Sequence, residues 1–180
     1  MIKHGFSPLI SDNAIYLNRK TQIIVASYVD DFLLIGANRN DIKALTKSLN
    51  DEVPLNDLGE ASWFLGVRIR RSSPTGLVIL DKQQYLRKSL DELKIDIDKK
   101  PKTPMSPSCK PGLKRNRGKA TITELYNFHC LIGKFNFASC TVRCDTSHAT
   151  SRMARYMCNP STQHYRHALR IPQYLATCLD

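Results

Sequence analysis

The sequence predicts an α+β fold in which strands and one helix come first and helices alone follow. Up to residue 80, short apolar runs alternate with polar turns, which is typical of strands. From residue 81 onward, apolar residues recur at intervals of three and four, which is typical of amphipathic helices. Hydrophobic residues make up 42% of the 180 residues, enough to build a buried core.

Three short strands are predicted before Gly36. Residues 15–17 and 21–28 are rich in β-branched and aromatic side chains, and residues 18–20 form a polar turn between them. Residues 32–35 form the third apolar run. Val29-Asp30-Asp31 connects the last two strands, so two adjacent carboxylates are expected at a tight junction.

A helix and a second hairpin are predicted next. Asn38 or Asn40 can cap a helix over residues 41–49, because the apolar residues of that stretch share one face. Residues 63–70 alternate between apolar and polar or basic side chains, residues 73–76 are predicted to form a turn, and residues 77–80 return as a strand. The cations of this second hairpin are expected on its solvent side.

Four helices are predicted after residue 80. The candidate N-terminal caps of three of them are Asp81, Thr123 and either Ser161 or Thr162. The second helix is expected to end near residue 139, and the third to cover residues 147–157. Pro172 lies inside the last one, where proline costs about 3 kcal/mol in a regular helix interior, so a kink or an early end is expected there.

Residues 99–119 hold much of the positive charge, with eight Lys or Arg residues, four prolines and no acidic residue. Proline at this density prevents a helix or a central strand, so residues 99–120 are expected to form an exposed, extended, basic linker. Such a linker can neutralise phosphates and release counterions. A solvated tether, kept extended by its own repulsion, explains the same composition equally well.

Composition also excludes several classes of protein. No apolar run reaches the ~18 residues that a membrane span needs, so no membrane partner is expected. The N-terminus lacks the pattern of a secretory signal, and the six cysteines are therefore expected to be reduced thiols. These features favour an intracellular protein, cytoplasmic or nuclear, and the formal charge of +11 favours an anionic partner.

Asp30 and Asp31 form the most informative pair. In the apolar setting of the flanking strands, two unpaired carboxylates would repel each other and one would hold its proton. A hard divalent cation removes that penalty, since Mg²⁺ is held by one or two carboxylates together with substrate phosphates. Solvated turn formation is the alternative, because aspartate is common in turns.

Tyr28-Val29-Asp30-Asp31, between two apolar strands, resembles the Tyr-x-Asp-Asp box of reverse transcriptases. The rest of the chain resembles the polymerase of copia-type retrotransposons over nearly its whole length. The matching segments, in order, are Gly5-Phe6, Ser11-Asp12 with Ile15-Tyr16-Leu17, Leu58-Gly59-Glu60, Phe64-Leu65-Gly66-Val67, Gln84-Tyr85, Thr103-Pro104-Met105, Tyr126 with Leu131-Ile132-Gly133-Lys134-Phe135-Asn136, Arg143-x-Asp145, and His164 with Ala168 and Tyr174-Leu175.

The resemblance implies a domain organisation. Residues 1–80 would be a partial reverse-transcriptase palm, an antiparallel sheet with a packed helix, that contains both hairpins. Residues 81–98 would be a thumb-like helix and residues 99–120 the basic linker. Residues 121–180 would be a helical connection segment that precedes an absent ribonuclease H domain.

The resemblance also implies the catalytic residues. Asp30 and Asp31 match the two palm carboxylates that act in catalysis and bind the metal, which is Mg²⁺, with Mn²⁺ as an alternative. The implied chemistry is nucleotidyl transfer from deoxynucleotides to the primer 3′-hydroxyl, an in-line displacement of pyrophosphate.

Primer and template contacts follow from the same resemblance. Tyr28 and Val29 would lie at the primer terminus, and Phe64, Leu65 and Gly66 would form the primer grip. Glycine at position 66 would let the backbone approach the primer strand. Tyr28 as an ordinary strand aromatic and Gly66 as a β-bulge are the structural alternatives.

The chain is expected to be truncated and inactive alone. In the family a third carboxylate and the nucleotide-binding residues lie well upstream of the box, and no matching residues precede Tyr28 here. A partner chain could supply that half of the palm, and the expected partner is a DNA or RNA primer–template duplex. The alternatives are a non-enzymatic nucleic-acid-binding or domesticated interaction module, and a non-functional transposon relic.

Overall fold

The structure, a computed structural model, describes residues 1–73, 76–109 and 113–179. The chain divides into two compact units, Met1–Phe64 (the first unit) and Leu65–Asp180 (the second unit). The fold is mixed α and β, with antiparallel sheets and several helices, as the sequence predicts. Among the described residues, no helix is long and apolar enough to cross a membrane.

The first unit is built on a four-stranded antiparallel sheet. Its strands, in spatial and chain order, are β1 (Ser7–Pro8), β2 (Ile15–Asn18), β3 (Ile23–Tyr28) and β4 (Asp31–Ile35). Strands β2, β3 and β4 lie where the apolar runs predict them. The register pairs Ile24 with Ile35 and Tyr28 with Asp31, so only two residues connect β3 to β4.

One helix, α1 (Arg39–Glu52), packs on the sheet of the first unit. The side chain of Asn38 accepts a hydrogen bond from the Asn40 backbone N–H at 2.9 Å, which confirms the predicted cap. A side chain on Gly36 would place its Cβ 3.1 Å from Ile23, so glycine allows the chain to turn closely from β4 into the helix. The buried core of the unit consists of Phe6, Ile23, Val25 and Leu45.

A two-residue strand, β5 (Trp63–Phe64), ends the first unit, and the hairpin β6 (Val67–Arg71) and β7 (Val78–Asp81) opens the second. The prediction of one continuous strand over residues 63–70 was wrong. Leu65 and Gly66 both have positive φ, 50° and 73°, which interrupts an extended conformation. The predicted turn at residues 73–76 includes Pro74 and Thr75, which lie outside the described residues.

Five helices of the second unit surround its core. They are α2 (Gln83–Glu92), α3 (Ile122–Thr141), α4 (Ser147–Ala154), α5 (Thr162–Ala168) and α6 (Arg170–Ala176). The buried residues of the core are Leu179, which follows α6, and the following residues on the inward faces of the helices: Leu86, Leu90, Phe128, Leu131, Ile132, Phe135, Ala138, Ala149, Met153, Ala168, Ile171 and Leu175. This cluster is the larger hydrophobic core of the protein.

The helix boundaries correct three sequence predictions. Helix α3 is capped by Thr121 and not by Thr123, because Thr121 and Glu124 form a reciprocal capping box. Lys82 occupies the cap position of α2, although the Asp81 carboxylate accepts the Gln83 N–H at 3.3 Å. Helix α4 ends at Ala154, before residue 157.

The last predicted helix is two helices. Ser161 caps α5 as predicted, α5 ends at Ala168, and α6 begins at Arg170. Pro172 lies in the first turn of α6, where an N–H would have no partner within the helix, so proline is tolerated. The interruption expected in the last helix is therefore present, but it lies before Pro172, between α5 and α6.

The basic segment over residues 99–120 departs from the expected exposed linker. Apart from a 3-10 turn at Pro107–Cys109, its described residues form no helix or strand, as the prolines predict. The expectation of full exposure was wrong, because Cys109 and Ala120 are only 2% and 8% exposed. Hydrogen bonds from the residues between α4 and α5, and from α5 and α6, hold the segment in place. Lys110, Pro111 and Gly112 lie outside the described residues.

Candidate active site

The two aspartates lie at the turn between β3 and β4. Val29 and Asp30 form the two-residue connection, and Asp31 is the first residue of β4. Directly paired residues of antiparallel strands project from the same face, so the side chains of Tyr28 and Asp31 lie side by side. The hairpin that the sequence predicts for this segment is confirmed.

The turn has an unusual backbone at Val29. Its φ is 53°, in the left-handed region that β-branched residues rarely adopt, and its side chain is 82% exposed. Two-residue hairpin connections require positive φ at their first central position, which normally selects glycine, asparagine or aspartate. Valine at this point costs backbone strain of about 1–2 kcal/mol. Sequence reasoning did not identify this strain.

Both aspartates are exposed, so the expectation that they lie in an apolar setting was wrong. Residues 23–35 are largely apolar, but the hairpin end extends beyond the core, which reaches only Val25 on β3. The carboxylates therefore lie in water and not in the apolar setting that the flanking strands predict. Among the described residues, no hydrogen bond or ion pair occupies either carboxylate.

The sheet has one covered face and one open face. Val25 and Leu34 lie on the face that packs on α1. Alternation along the strands places Ile24 and Ile35 on the other face, with Tyr28 and Asp31, and the two isoleucines are 37% and 49% exposed. The candidate site therefore stands at one end of the open face of the sheet.

The donor set fits part of a magnesium site. Among the described residues, no group of three or more His, Cys, Asp or Glu side chains could hold a metal ion. Mg²⁺ in nucleotide enzymes is bound through one or two carboxylates, with phosphates and water completing the shell. Two exposed carboxylates with free oxygens match that protein contribution.

The predicted primer-grip residues fall at the boundary between the units. Phe64 belongs to the first unit, and Leu65 and Gly66 belong to the second. No atom lies within 4 Å of a Cβ placed on Gly66, so its backbone angle, and not crowding, makes glycine suitable there. Leu65 is 45% exposed, which leaves the turn accessible.

A polar cluster in the second unit explains the Arg143-x-Asp145 motif. Arg143 donates to both carboxylate oxygens of Asp145, at 3.0 and 2.8 Å, and the Tyr174 hydroxyl donates to the same carboxylate at 3.0 Å. The Arg143 hydrogen bonds hold the pKa of Asp145 below its usual value. The cluster links the turn before α4 to α6, which is a structural role.

Comparison with known families identifies one family for most of the chain. Residues 1–107 match the family described as reverse transcriptase (RNA-dependent DNA polymerase). No solved structure matches the chain.

Three curated proteins match nearly the whole chain. The Retrovirus-related Pol polyprotein from transposon TNT 1-94 of Nicotiana tabacum is 27% identical over 92% of the chain, and that from transposon RE1 of Arabidopsis thaliana is 29% identical over 96%. The putative transposon Ty5-1 protein YCL074W of Saccharomyces cerevisiae is 28% identical over 97%. The chain spans 13%, 12% and 56% of their lengths, respectively.

Proposed function

This chain belongs to the reverse transcriptase (RNA-dependent DNA polymerase) family, and we propose that it forms the part of a copia-type retrotransposon polymerase that carries two catalytic carboxylates. The observation that supports this role most strongly is the Tyr28–Asp31 hairpin. It presents two exposed carboxylates, without partners among the described residues, at a turn between paired strands.

The proposed domain assignment follows the order of the elements. Residues 1–80 form the palm portion and residues 81–98 the thumb-like helix. Residues 99–120 are the basic segment and residues 121–180 the connection segment before ribonuclease H. A sheet with one packed helix, followed by helices alone, is compatible with this assignment. The palm portion so defined includes the β6–β7 hairpin, which belongs to the second unit.

Asp30 and Asp31 have the central role in the proposed chemistry. Their carboxylate oxygens bind Mg²⁺, or Mn²⁺ in its place. When bound, the metal activates the primer 3′-hydroxyl and stabilises the pyrophosphate leaving group. Because the two side chains are exposed, they are accessible to the phosphates of an incoming deoxynucleotide.

Neighbouring residues position the primer–template duplex. The Tyr28 ring is 56% exposed on the same face as Asp31, where it can contact the primer terminus. Val29 projects from the apex of the turn toward the duplex. Phe64, Leu65 and Gly66 form the primer grip, in which the exposed Leu65–Gly66 backbone approaches the primer strand.

We infer that the 180 residues alone do not extend a primer. Two carboxylates are fewer than the three that the polymerase chemistry needs, and the Pol polyproteins that match this chain are about eight times longer. The remaining palm residues then come from another segment or from a partner chain.

A chimaera tests this function. The segment of the TNT 1-94 polyprotein that precedes the matched region is joined to this chain, and RNA-templated primer extension is measured with Mg²⁺. We expect extension by the folded chimaera, loss of extension in its Asp30→Asn variant, and retention in the Asp51→Asn control, whose exposed carboxylate lies on α1. Extension that persists in Asp30→Asn would contradict the proposed role.

A second function, nucleic-acid binding without catalysis, is favoured by the charge of the second unit. Residues 65–180 carry 21 Lys or Arg and eight Asp or Glu residues. That excess supports binding to a phosphate backbone whether or not the aspartates act. Duplex binding by Asp30→Asn with wild-type affinity, combined with an inactive chimaera, would favour this alternative.

A further inference from the structure

We propose that residues 113–120, the basic strap, form a pre-ordered ridge that contacts the phosphate backbone of a nucleic-acid duplex, and that His164 and Asn159 act as positioning residues for it. The proposal deepens the proposed function, on which it rests for the nature of the partner. It depends on three features: the anchoring of the backbone, the exposure of the cations and the lack of competing acids.

The N-terminal end of the basic strap is held by two stacked rings. The Tyr156 hydroxyl accepts the Leu113 N–H at 3.1 Å and donates to the Leu113 carbonyl at 3.2 Å. The ring of His164 stacks on Tyr156 with a centroid distance of 4.0 Å. His164 Nε2 lies 3.0 Å from the Lys114 carbonyl oxygen and must donate, because a carbonyl only accepts.

His164 is suited to this anchoring because it is fully buried and both ring nitrogens are used. Its Nδ1 accepts the Ser161 N–H at 3.0 Å, which fixes the neutral tautomer. Burial lowers the pKa of His164, with a further lowering from nearby His167, so the neutral form is favoured.

The C-terminal end of the basic strap is held by two asparagines. Asn159 donates to the Gly118 carbonyl and accepts the Ala120 N–H, both at 2.9 Å. Asn116 points inward and donates to the Pro160 carbonyl at 2.8 Å. The backbone is therefore fixed at both ends by groups of the segment between α4 and α5 and by His164 of α5.

The basic strap exposes four cationic side chains, whereas Leu113 packs against the core and Ala120 is buried. The four exposed cations are Lys114, Arg115, Arg117 and Lys119. Among the described residues, none of the four forms an ion pair, and residues 99–119 contain no acidic residue. Four free cations on a fixed backbone form a binding surface for a polyanion. Because this backbone is already ordered in the folded protein, binding costs little further conformational entropy of the strap.

A phosphate backbone fits this surface better than an acidic protein segment. The strap exposes no large apolar side chain, so it lacks the apolar anchors that usually give a protein interface its affinity. Arginine and lysine contacts with phosphates release condensed counterions, which makes binding sensitive to salt and independent of base sequence.

The test measures fluorescence anisotropy of a labelled DNA–RNA hybrid with the full 180-residue chain. Salt is varied between about 50 and 200 mM in EDTA, so that metal binding at Asp30 plays no part. Arg115→Ala/Arg117→Ala is expected to lower affinity about ten-fold and to reduce the salt slope by about 2. The matched control, Lys43→Ala/Lys47→Ala, removes two exposed cations from α1 and is expected to change binding less.

A charge-neutral variant isolates the role of the anchors. Asn159→Ala is expected to weaken binding about three- to ten-fold with the salt slope unchanged, because the same phosphates are contacted after the strap has been ordered. If Asn159→Ala is too unstable to assay, Asn116→Ala provides a second variant in which the basic strap has lost an anchoring hydrogen bond. An unchanged affinity in both folded variants would overturn the positioning role.

Three other results would overturn the proposal. They are no binding of the hybrid by the wild-type chain, an unchanged salt slope in Arg115→Ala/Arg117→Ala, and equal competition by poly-glutamate at matched charge. None of these results bears on the carboxylate hairpin, which is tested by the Mg²⁺-dependent chimaera. Failure of the strap and failure of the proposed catalysis are therefore distinguishable.

Discussion

The first and second units differ in how much apolar surface they bury. Residues 1–64 enclose a core of four buried side chains between a sheet and one helix, and the other face of the sheet remains open. Residues 65–180 enclose a core of thirteen, drawn from α2 to α6 and the last residues of the chain. Since apolar burial is the main favourable term in folding, the second unit should be the more stable part.

The units also differ in charge. Residues 1–64 carry six Lys or Arg and eight Asp or Glu, a net charge of −2, whereas residues 65–180 carry a net charge of +13. The carboxylates proposed to bind a metal therefore lie in the weakly acidic unit, and most of the cations lie in the other. The proposals made for this chain therefore assign the metal ligands to the first unit and the phosphate contacts of the basic strap to the second.

The largest expected effect is on the core of the second unit. Phe128→Ala removes a fully buried ring and should lower the free energy of unfolding by about 3–5 kcal/mol. Val25→Ala, in the small core of the first unit, should cost about 2 kcal/mol.

Hydrogen exchange read by mass spectrometry can report the two units separately. In the wild-type chain we expect greater protection in α3 than in β3. Phe128→Ala should reduce protection chiefly in residues 65–179. Equal protection of both units in the wild-type chain would contradict the expectation that the second unit is the more stable one.

A smaller effect, specific to the second unit, comes from pH. His164 has a lowered pKa in the folded state, so the unfolded chain binds a proton first as pH falls below about 6.5. Stability should therefore be fully present above about pH 6.5 and should decline toward the folded-state pKa, by at most about 1.4 kcal/mol per pH unit.

Urea titrations at several pH values measure this effect. His164→Gln should lose stability at neutral pH but should show a flatter pH dependence than the wild-type chain. His129→Gln is the control, because His129 is exposed. A pH dependence that is the same in all three proteins would exclude His164 as its source.

The smallest expected effect concerns the strained turn of the first unit. Val29→Gly relieves a positive φ but adds flexibility to the unfolded chain, so a net gain of about 0.5 kcal/mol is expected. Val53→Gly provides the contrast, since Val53 is extended at φ −138° and should lose about 0.5–1 kcal/mol. Thermal melts compare them, and destabilisation of equal size in both variants would show that Val29 is not strained.

Most elements could be predicted from the sequence because their signals are local. The apolar runs of β3 and β4, the Asn38 cap and the Ser161 cap depend on neighbouring residues, and all are confirmed. Thr121 could have been distinguished from Thr123, because only Thr121 has a glutamate three residues later.

The remaining errors concern tertiary contacts, which local patterns do not contain. The basic segment has the composition of a solvated linker, and its anchors, among them Tyr156, Asn159 and His164, lie about 40–50 residues away in the chain. The exposure of Asp30 and Asp31 depends on where the core ends, which the apolar run over residues 23–35 does not show. The roles of these aspartates in binding metal remain a prediction.

Asp30 and Asp31 are proposed to bind a divalent metal together, and paramagnetic broadening by Mn²⁺ is the sharpest test of this proposal. Amide resonances of the 180-residue chain are recorded during Mn²⁺ titration for the wild type, for Asp30→Asn/Asp31→Asn and for Asp51→Asn. We expect selective broadening of residues 28–32, lost in the double variant and retained in Asp51→Asn. Broadening that persists at this turn in the double variant, or that centres elsewhere in the chain, would contradict it.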